Sequence, residues 1–344
     1  MTAGHPSGTI VLAAFQPDPE LFRRQLQSLQ AQSIQDWTCV VSVDGERAPV
    51  AALVVEITDG DERFVVIGED RRRGFYGNFE QALEAVPADA AWVALADQDD
   101  HWYPHKLETL LPLLEDHSLV SGQARLVTYP GGVELGVTDR ADHGAASTVL
   151  INQFTGSLCV FERTLLDDAL PFPHPPSHVA THDHWLAVVA GARRGTAIVD
   201  EIVQDYVQHD ANVYGDPSRA GDTGLLAPLR NALRLAERVE GSRSPLAVVR
   251  MTFWTYVGWR QLMVDALAAR RGPEWRVALP LAGGFGRARS YRKLNAQLGI
   301  AVAQGVISSR YAWGYRASWF AGVLIGGRGR VERALAGVTP VRRP

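Results

Sequence analysis

Four short apolar runs constrain what this chain can fold into more than any other feature. Residues 9–15 read TIVLAAF, 37–43 read WTCVVSV, 64–67 read FVVI and 91–96 read AWVALA. None carries a charged side chain, and in none do apolar and polar residues strictly alternate. A strand of that kind is buried on both faces, as in a parallel sheet covered by helices on either side. The intervening segments suit those helices. Pro19 stands at a helix start, with Phe22, Leu26 and Leu29 following at helical spacing. Residues 76–86 put Phe79, Leu83 and Val86 on one face, and 104–114 read as another helix. The expectation is an α/β fold with a mostly parallel sheet flanked by helices.

The later sequence is less regular. Residues 119–129, 153–161, 196–199 and 202–207 suit strands, and 182–190 suit a helix on which Trp185, Val188 and Val189 cluster. The Pro-rich segment LPFPHPPS at 170–177 is a loop, and 210–223, rich in Gly, Asp and Ser, reads as a connection. From Leu225 the pattern is helical, interrupted by glycines around 283–286 and 326–329. The chain therefore divides into an N-terminal domain over 1–215 and a helical C-terminal region over 216–344.

Charge follows nearly the same division. Residues 1–220 hold 14 Lys/Arg and 32 Asp/Glu, whereas residues 221–344 hold 20 and 6. A basic region that also carries Trp254, Trp259, Trp313, Trp319 and Phe320 fits an anionic membrane surface. It fits equally a helical subdomain that packs its aromatics on the core or on a homodimer partner. No nucleic-acid-binding motif accompanies the charge, so nucleic acid is not an expected partner. Cys39 and Cys159 both lie in apolar runs, as expected of buried free thiols in a reducing cytoplasm. The N-terminus lacks the basic start and long apolar stretch of a signal sequence. Residues 294–309, the longest uncharged stretch of the C-terminal third, include Asn295, Gln297 and Gln304 and make a poor membrane span. The expected location is cytoplasmic, with peripheral attachment to the inner face of the plasma membrane as its extension.

In sheets of this kind ligands bind beyond the carboxyl ends of the strands. Asp44 follows the second run and Asp97-Gln98-Asp99-Asp100 follows the fourth, so these carboxylates are expected at one crevice. Three carboxylates within four residues repel one another. A divalent cation relieves that repulsion and bridges to a diphosphate. Oxygen ligands suit Mg²⁺ or Mn²⁺. The plain alternative is a solvated acidic turn that caps the next helix.

The blocks around these carboxylates resemble a known family. ADQDDHWYPHKLE at 96–108 is similar to the DQDD-W-P-KLE signature of family 2 glycosyltransferases, notably their rhamnosyltransferase-like branch. The stretch LAAFQPDPELFRRQLQSLQAQSIQDWTCVVSVDG resembles the family's opening block, and RRRGFYGNFEQAL its NFE block. THDHWLAVVA resembles the HDxW block, and DEIVQDYVQHDANVYG the block that follows it. Five spaced motifs in the family's order span roughly residues 8–215.

The resemblance implies a GT-A, Rossmann-like fold and inverting transfer of a sugar from a nucleoside diphosphate, dTDP-rhamnose or a UDP-sugar. The acceptor would be a saccharide or lipid-linked molecule in cell-surface polysaccharide or glycoconjugate synthesis. Asp99 would hold Mn²⁺ or Mg²⁺ and the diphosphate, with Asp100 and His209 as further metal ligands and Asp97 near the ribose. Phe15, Asp44, Arg73, Gly77 and Asn78 would lie on the donor side. Asp183 would be the general base that takes the acceptor hydroxyl proton, with His182, Trp185 and Trp102 on the acceptor side. Taken alone, Asp183 also reads as a helix N-cap and His209 as a structural histidine.

The chain departs from the family pattern at two places. Val43 replaces the first carboxylate of the DDGS block, which in the family commonly bonds the base, and Ala14-Phe15-Gln16 replaces Thr-Tyr-Asn. Base recognition would then fall to Asp44, backbone groups or Arg71, Arg72 and Arg73. Two rival readings remain. A nucleotidyltransferase would carry a Gly-rich, Lys-containing N-terminal loop, which AAFQPD at 13–18 is not. The intact Asp97, Asp99, Asp100 and Asp183 argue against a non-catalytic sugar- or nucleotide-binding relative acting in assembly, which the loss at Val43 keeps open.

Overall fold

The four apolar runs become four adjacent parallel strands. They are β1 (Gly8–Ala14), β2 (Trp37–Val43), β3 (Phe64–Ile67) and β4 (Trp92–Asp97), ordered β3-β2-β1-β4. Register pairs Ala14 with Val43 and Ala13 with Asp97, so β1, β2 and β4 end level. Asp44 and the turn after Asp97 thus leave the same end of the sheet. The structure is a computed structural model and describes residues 7–209, 227–271, 285 and 290–337. The connection expected at 210–223 and most of the Gly-rich stretch at 283–286 lie outside the described residues.

The sheet continues beyond β4 with mixed directions. It uses β5 (His101–Trp102), β6 (Leu119–Thr128), β7 (Glu134–Val137), β8 (Cys159–Glu162) and β9 (Thr196–Gln208). The order onward is β4-β8-β6-β9-β5, with β7 on β6. The β6–β9 pair is parallel, whereas β4–β8, β6–β8, β6–β7 and β5–β9 are antiparallel. The α/β expectation holds, with a parallel half and a largely antiparallel half.

Helices cover both faces of the parallel half. Helix α1 (Pro19–Gln30) starts under Asp18, whose carboxylate accepts the Glu20 and Leu21 N–H groups at 3.0 and 3.1 Å. Helix α2 (Arg47–Thr58) lies beside it. Ile10, Leu12 and Ala14 share one core with Phe22, Leu26 and Leu29 of α1 and Val50, Val54 and Ile57 of α2. Strand side chains alternate faces, so Ser42, between Val41 and Val43 of that core, points to the other face. There its hydroxyl donates to Asn78 Oδ1 at 2.7 Å, which fixes helix α3 (Gly74–Glu84) on that side. Cys39 and Cys159 are buried free thiols, and burial pushes the Cys39 thiol far up from its ordinary pKa.

Several elements differ from the sequence expectation for identifiable reasons. The expected helix at 104–114 is α4 (Lys106–Leu110) followed by a 3₁₀ turn over Leu111–Glu115, with Pro112 in its first turn. The strand expected at 153–161 begins only at Cys159, after a 3₁₀ turn at Gly156–Leu158. The two short strands expected at 196–199 and 202–207 are one strand, β9. Exposed Asp200 and Glu201 sit where its register with β6 shifts.

The described residues fall into two compact units. The first comprises residues up to 142, 153–170 and 194–209, and contains the whole sheet and α6 (Leu166–Ala169). The second comprises 143–152, 171–193 and the described residues from 227 onward. Two segments from the middle of the sequence therefore group with the C-terminal helices. The second unit holds α5 (Ala145–Leu150), α7 (His182–Gly191), α8 (Ala227–Glu240) and α9 (Pro245–Phe253). A π-helical turn at Trp254–Gly258 leads into α10 (Trp259–Arg271), and α11 (Tyr291–Ala303), α12 (Ser309–Leu324) and α13 (Gly327–Ala336) follow. Buried Arg260 donates to the Leu150 carbonyl at 3.0 Å, and the Tyr315 hydroxyl donates to the same oxygen, tying the end of α5 to these helices.

Candidate functional site

The level strand ends of the first unit open into a cavity of about 610 Å³. Phe15, Asp18, Asp44, Arg72, Asn78, Asp97, Gln98, Asp99, Tyr129, Pro130, Tyr206 and His209 are among its lining residues. Loop residues that β1, β2, β4 and β9 carry to one place thus make a single pocket, as strand-end geometry dictates.

One side of the cavity is organised by Asp44. This carboxylate is buried, and its Oδ1 accepts the backbone N–H groups of Arg73 at 2.5 Å and Gly74 at 3.2 Å. Gly74 has φ of +75°, a conformation that a side chain would strain, and it opens α3. Arg72 Nε lies 3.7 Å from Asp44 Oδ2, and its guanidinium stacks 3.8 Å from the centroid of the Phe15 ring. A planar cation over a half-buried ring makes a flat platform beside the cavity. Arg73, by contrast, turns its side chain to Glu69 at 2.8 Å and contributes only its backbone N–H. Gly77 is not among the lining residues and sits against Arg73. Asn78 is nearly buried and spends its amide on Ser42, donating to the Ser42 carbonyl at 2.9 Å.

The turn after β4 splits its four residues between inside and outside. Asp97 and Asp99 line the cavity. Gln98 clamps the Phe15 backbone from both sides, its Oε1 accepting the Phe15 N–H at 2.7 Å and its Nε2 donating to the Phe15 carbonyl at 3.2 Å. Asp100 points inward and is buried. Its carboxylate accepts from Gln204 Nε2 at 2.8 Å and from the Val207 N–H at 3.2 Å. Burial, with Asp99 adding repulsion, pushes the Asp100 carboxyl up to about 7. Lys106 is fully buried beneath it. Its ammonium donates to Gln204 Oε1 at 2.6 Å and to the Ser157 carbonyl at 2.5 Å, and it lies 3.5 Å from the Trp102 ring centroid. Burial holds the Lys106 pKa well below its ordinary value, opposed by Asp100. Asp100 is therefore braced from below. Trp102, expected on the acceptor side, is a buried core residue under Lys106.

The structure brings Asp99 and His209 together across 110 residues of sequence, with His209 Nε2 at 2.7 Å from Asp99 Oδ2. That hydrogen bond raises the His209 pKa. Among the described residues no group of three or more His, Cys, Asp and Glu side chains is assembled as a metal site. The donor types present nonetheless fit Mn²⁺ or Mg²⁺, since carboxylate oxygens of Asp97 and Asp99 and an imidazole nitrogen all border the cavity. Tyr206 sits among these carboxylates, and burial with their charges holds its hydroxyl protonated.

The second unit holds the other expected residues. Asp183 stands in the first turn of α7, partly exposed, and accepts the His184 N–H at 2.7 Å. The cap position is Thr181, so Asp183 is not the N-cap. His182 is buried, which lowers its pKa to about 4 and keeps it neutral. Trp185 is fully buried. His184 is buried and neutral, its pKa lowered to about 3, and lies 2.7 Å from the Thr148 carbonyl.

Sequence reasoning assigned no role to Gln98, Tyr129, Pro130, Tyr206 or the Lys106–Gln204 brace. Gln98, Lys106 and Tyr206 lie inside quoted motifs, but nothing in their spacing reveals a clamp, a brace or a wall. Tyr129-Pro130 lies outside every motif, at the end of β6.

Comparison with known proteins adds family context. Residues 9–163 match the model of Glycosyl transferase family 2. The blocks around Asp183 and His209 lie beyond that match. The succinoglycan biosynthesis protein ExoW of Rhizobium meliloti (strain 1021) is 30% identical over 99 residues, which are 29% of this chain and 31% of that protein. The aligned part thus spans about a third of the relative. Among solved structures, TarS 1-349 of S. aureus in complex with UDP-GlcNAc has a TM-score of 0.49 at 12% identity, covering 93% of this chain and 92% of that one. Mannosyltransferase PcManGT from Pyrobaculum calidifontis, in complex with GDP-Man and Mn²⁺, has a TM-score of 0.46 at 19% identity, covering 94% and 87%.

Proposed function

We propose that this chain, whose residues 9–163 match the family 2 glycosyltransferase model, is an inverting transferase. It moves a sugar from a nucleoside diphosphate to a saccharide or lipid-linked acceptor in cell-surface polysaccharide synthesis. The observation that carries the reading is the cavity at the level ends of β1, β2 and β4, where Asp97, Asp99 and His209 meet the Phe15–Arg72 platform.

Each part has a chemical use. The platform stacks one face of a nucleobase, and Asp44 holds the loop that supplies Arg72. Asp97 accepts hydroxyl hydrogens of the ribose. Asp99 and His209 would hold a divalent cation, which supplies Lewis-acid neutralisation of the diphosphate charge when bound. Asp100, although expected as a ligand, is assigned here to keeping Asp99 in place. Asp183 takes the proton of the acceptor hydroxyl as that oxygen bonds the anomeric carbon and the bond from this carbon to the diphosphate breaks. A single displacement of this kind inverts the anomeric centre.

The test is a thermal-shift panel of nucleoside diphosphates and nucleotide sugars, with and without Mn²⁺, followed by transfer assays on the donor that binds. A ligand that binds only the folded protein raises its melting temperature. The expected result is a Mn²⁺-dependent shift that Asp99→Ala abolishes. Asp183→Asn should keep the shift and lose about 10²–10⁴-fold in transfer rate. Donor binding without any transfer or donor hydrolysis would instead favour the non-catalytic relative.

A further inference from the structure

Helix α12 is apolar on two opposite faces, and among the described residues one is buried and the other largely exposed. The packed face carries Ala312, Tyr315, Ser318 and Gly322, all buried. The Ser318 hydroxyl donates to the Thr252 carbonyl at 2.7 Å. A Cβ added at Gly322 would come within 2.7 Å of the Phe253 ring, and one at Gly314 within 2.8 Å of the Tyr256 ring, so the helix lies closely on α9 and the π-helical turn. The other face presents Trp313, Phe320, Val323 and Leu324, with relative exposures of 68%, 57%, 72% and 85%. These residues follow Arg310 and Arg316 at spacings of three to four, which makes one stripe with cations on its N-terminal turns and apolar groups on its C-terminal turns. Helix α11 runs alongside, with Tyr291 5.2 Å from Phe320, and adds exposed Ile300.

Charge identifies what covers this stripe. Residues 291–324 contain Arg292, Lys293, Arg310 and Arg316 and no Asp or Glu. A second copy docked through the same stripe would set these cations against their own images with no carboxylate in either helix to meet them. Among the described residues no helix is long and apolar enough to cross a membrane. A helix lying in the plane of an anionic bilayer satisfies both features. Its aromatic and aliphatic groups enter the boundary below the headgroups, and its cations meet lipid phosphates.

We propose that the exposed face of α12, with the adjoining basic residues of α11, docks the chain on an anionic lipid surface. The assignment rests on this face alone and is independent of the transfer reaction.

The experiment is co-sedimentation of the full chain with vesicles of phosphatidylcholine alone and of phosphatidylcholine with about a third phosphatidylglycerol. The wild type should pellet with the anionic vesicles and be released by high salt. Trp313→Ser/Phe320→Ser/Leu324→Ser should weaken binding by tenfold or more, on the order expected for three apolar groups withdrawn from the interface. Arg292→Gln/Lys293→Gln/Arg310→Gln should weaken it roughly a hundredfold at low salt. Both variants should keep the wild-type melting temperature, since the altered side chains are exposed. Failure of the folded wild type to bind either vesicle overturns the proposal. So does a dimer in sedimentation equilibrium that the apolar triple variant turns into monomer, which would give the face to a second copy.

Discussion

The turn at Asp97–Asp100 and helix α12 break the same rule in opposite directions. Globular proteins place polar groups outside and large apolar groups inside. At the turn, Asp100, Gln204 and Lys106 are buried, and each is answered by a hydrogen-bond partner. On α12, Trp313, Phe320, Val323 and Leu324 are exposed. The first violation is costly to the fold and is held by a closed internal network. The second costs the fold little, and among the described residues the Tyr291 ring beside Phe320 is its one aromatic neighbour. A closed polar network marks a place whose geometry must not move, whereas an open apolar stripe marks a place that expects another surface.

Substitutions can break or sharpen that contrast. The largest effect is expected at Lys106. Lys106→Met leaves Gln204 Oε1 and the Ser157 carbonyl without their buried donor, and should cost about 2–4 kcal/mol in denaturant unfolding. A loss within experimental error would mean that the network is not closed. Next comes the pair of aromatics. Phe15→Ala should weaken donor binding by about 1–3 kcal/mol in titration calorimetry, the range for one base–aromatic stack. Phe320→Ala should leave donor affinity unchanged; equal losses would erase the distinction between the two aromatic surfaces.

A smaller, pH-dependent effect is expected at His209. Asp99 raises the folded-state pKa of this residue. The stabilisation from the pair is therefore fully present below the unfolded value of about 6.5 and fades as pH rises through the raised folded value. Metal binding requires the neutral imidazole, so Mn²⁺ affinity should rise over that same window. His209→Gln should flatten both curves, measured by thermal melts and calorimetry across pH. The smallest effect is expected at Leu324. Leu324→Ser should change stability by no more than about 0.5 kcal/mol.

How much of this was legible before the structure varies with physical cause. The parallel half was legible because doubly buried strands admit few compositions, and β1 to β4 fall within a residue of the apolar runs. Helix α2 was missed although Val50, Val54 and Ile57 stand at helical spacing. Its sequence RAPVAALVVEIT is nearly uniformly apolar, and Glu46 makes no capping bond to announce it. The crevice itself followed from strand ends, but the inward turn of Asp100 did not. Direction within a four-residue turn is set by partners such as Gln204 and Val207, more than 100 residues away. Arg72 and Arg73 are neighbours with the same side chain. Only the Phe15 ring and Glu69, which each meets in space, separate a wall of the cavity from an exposed ion pair.

The burial of Lys106 has an experimental consequence of its own. The chain has two lysines, Lys106 and Lys293. Lys106 is sealed beneath the turn, and Lys293 stands exposed on α11. An amine-acylating reagent applied to the native protein therefore tags Lys293 and spares Lys106. Tagging of Lys106 then serves as a clock for the opening of the first unit, while protection of Lys293 by added vesicles serves as a footprint on the second. One reagent and one peptide map read the two halves of the molecule separately.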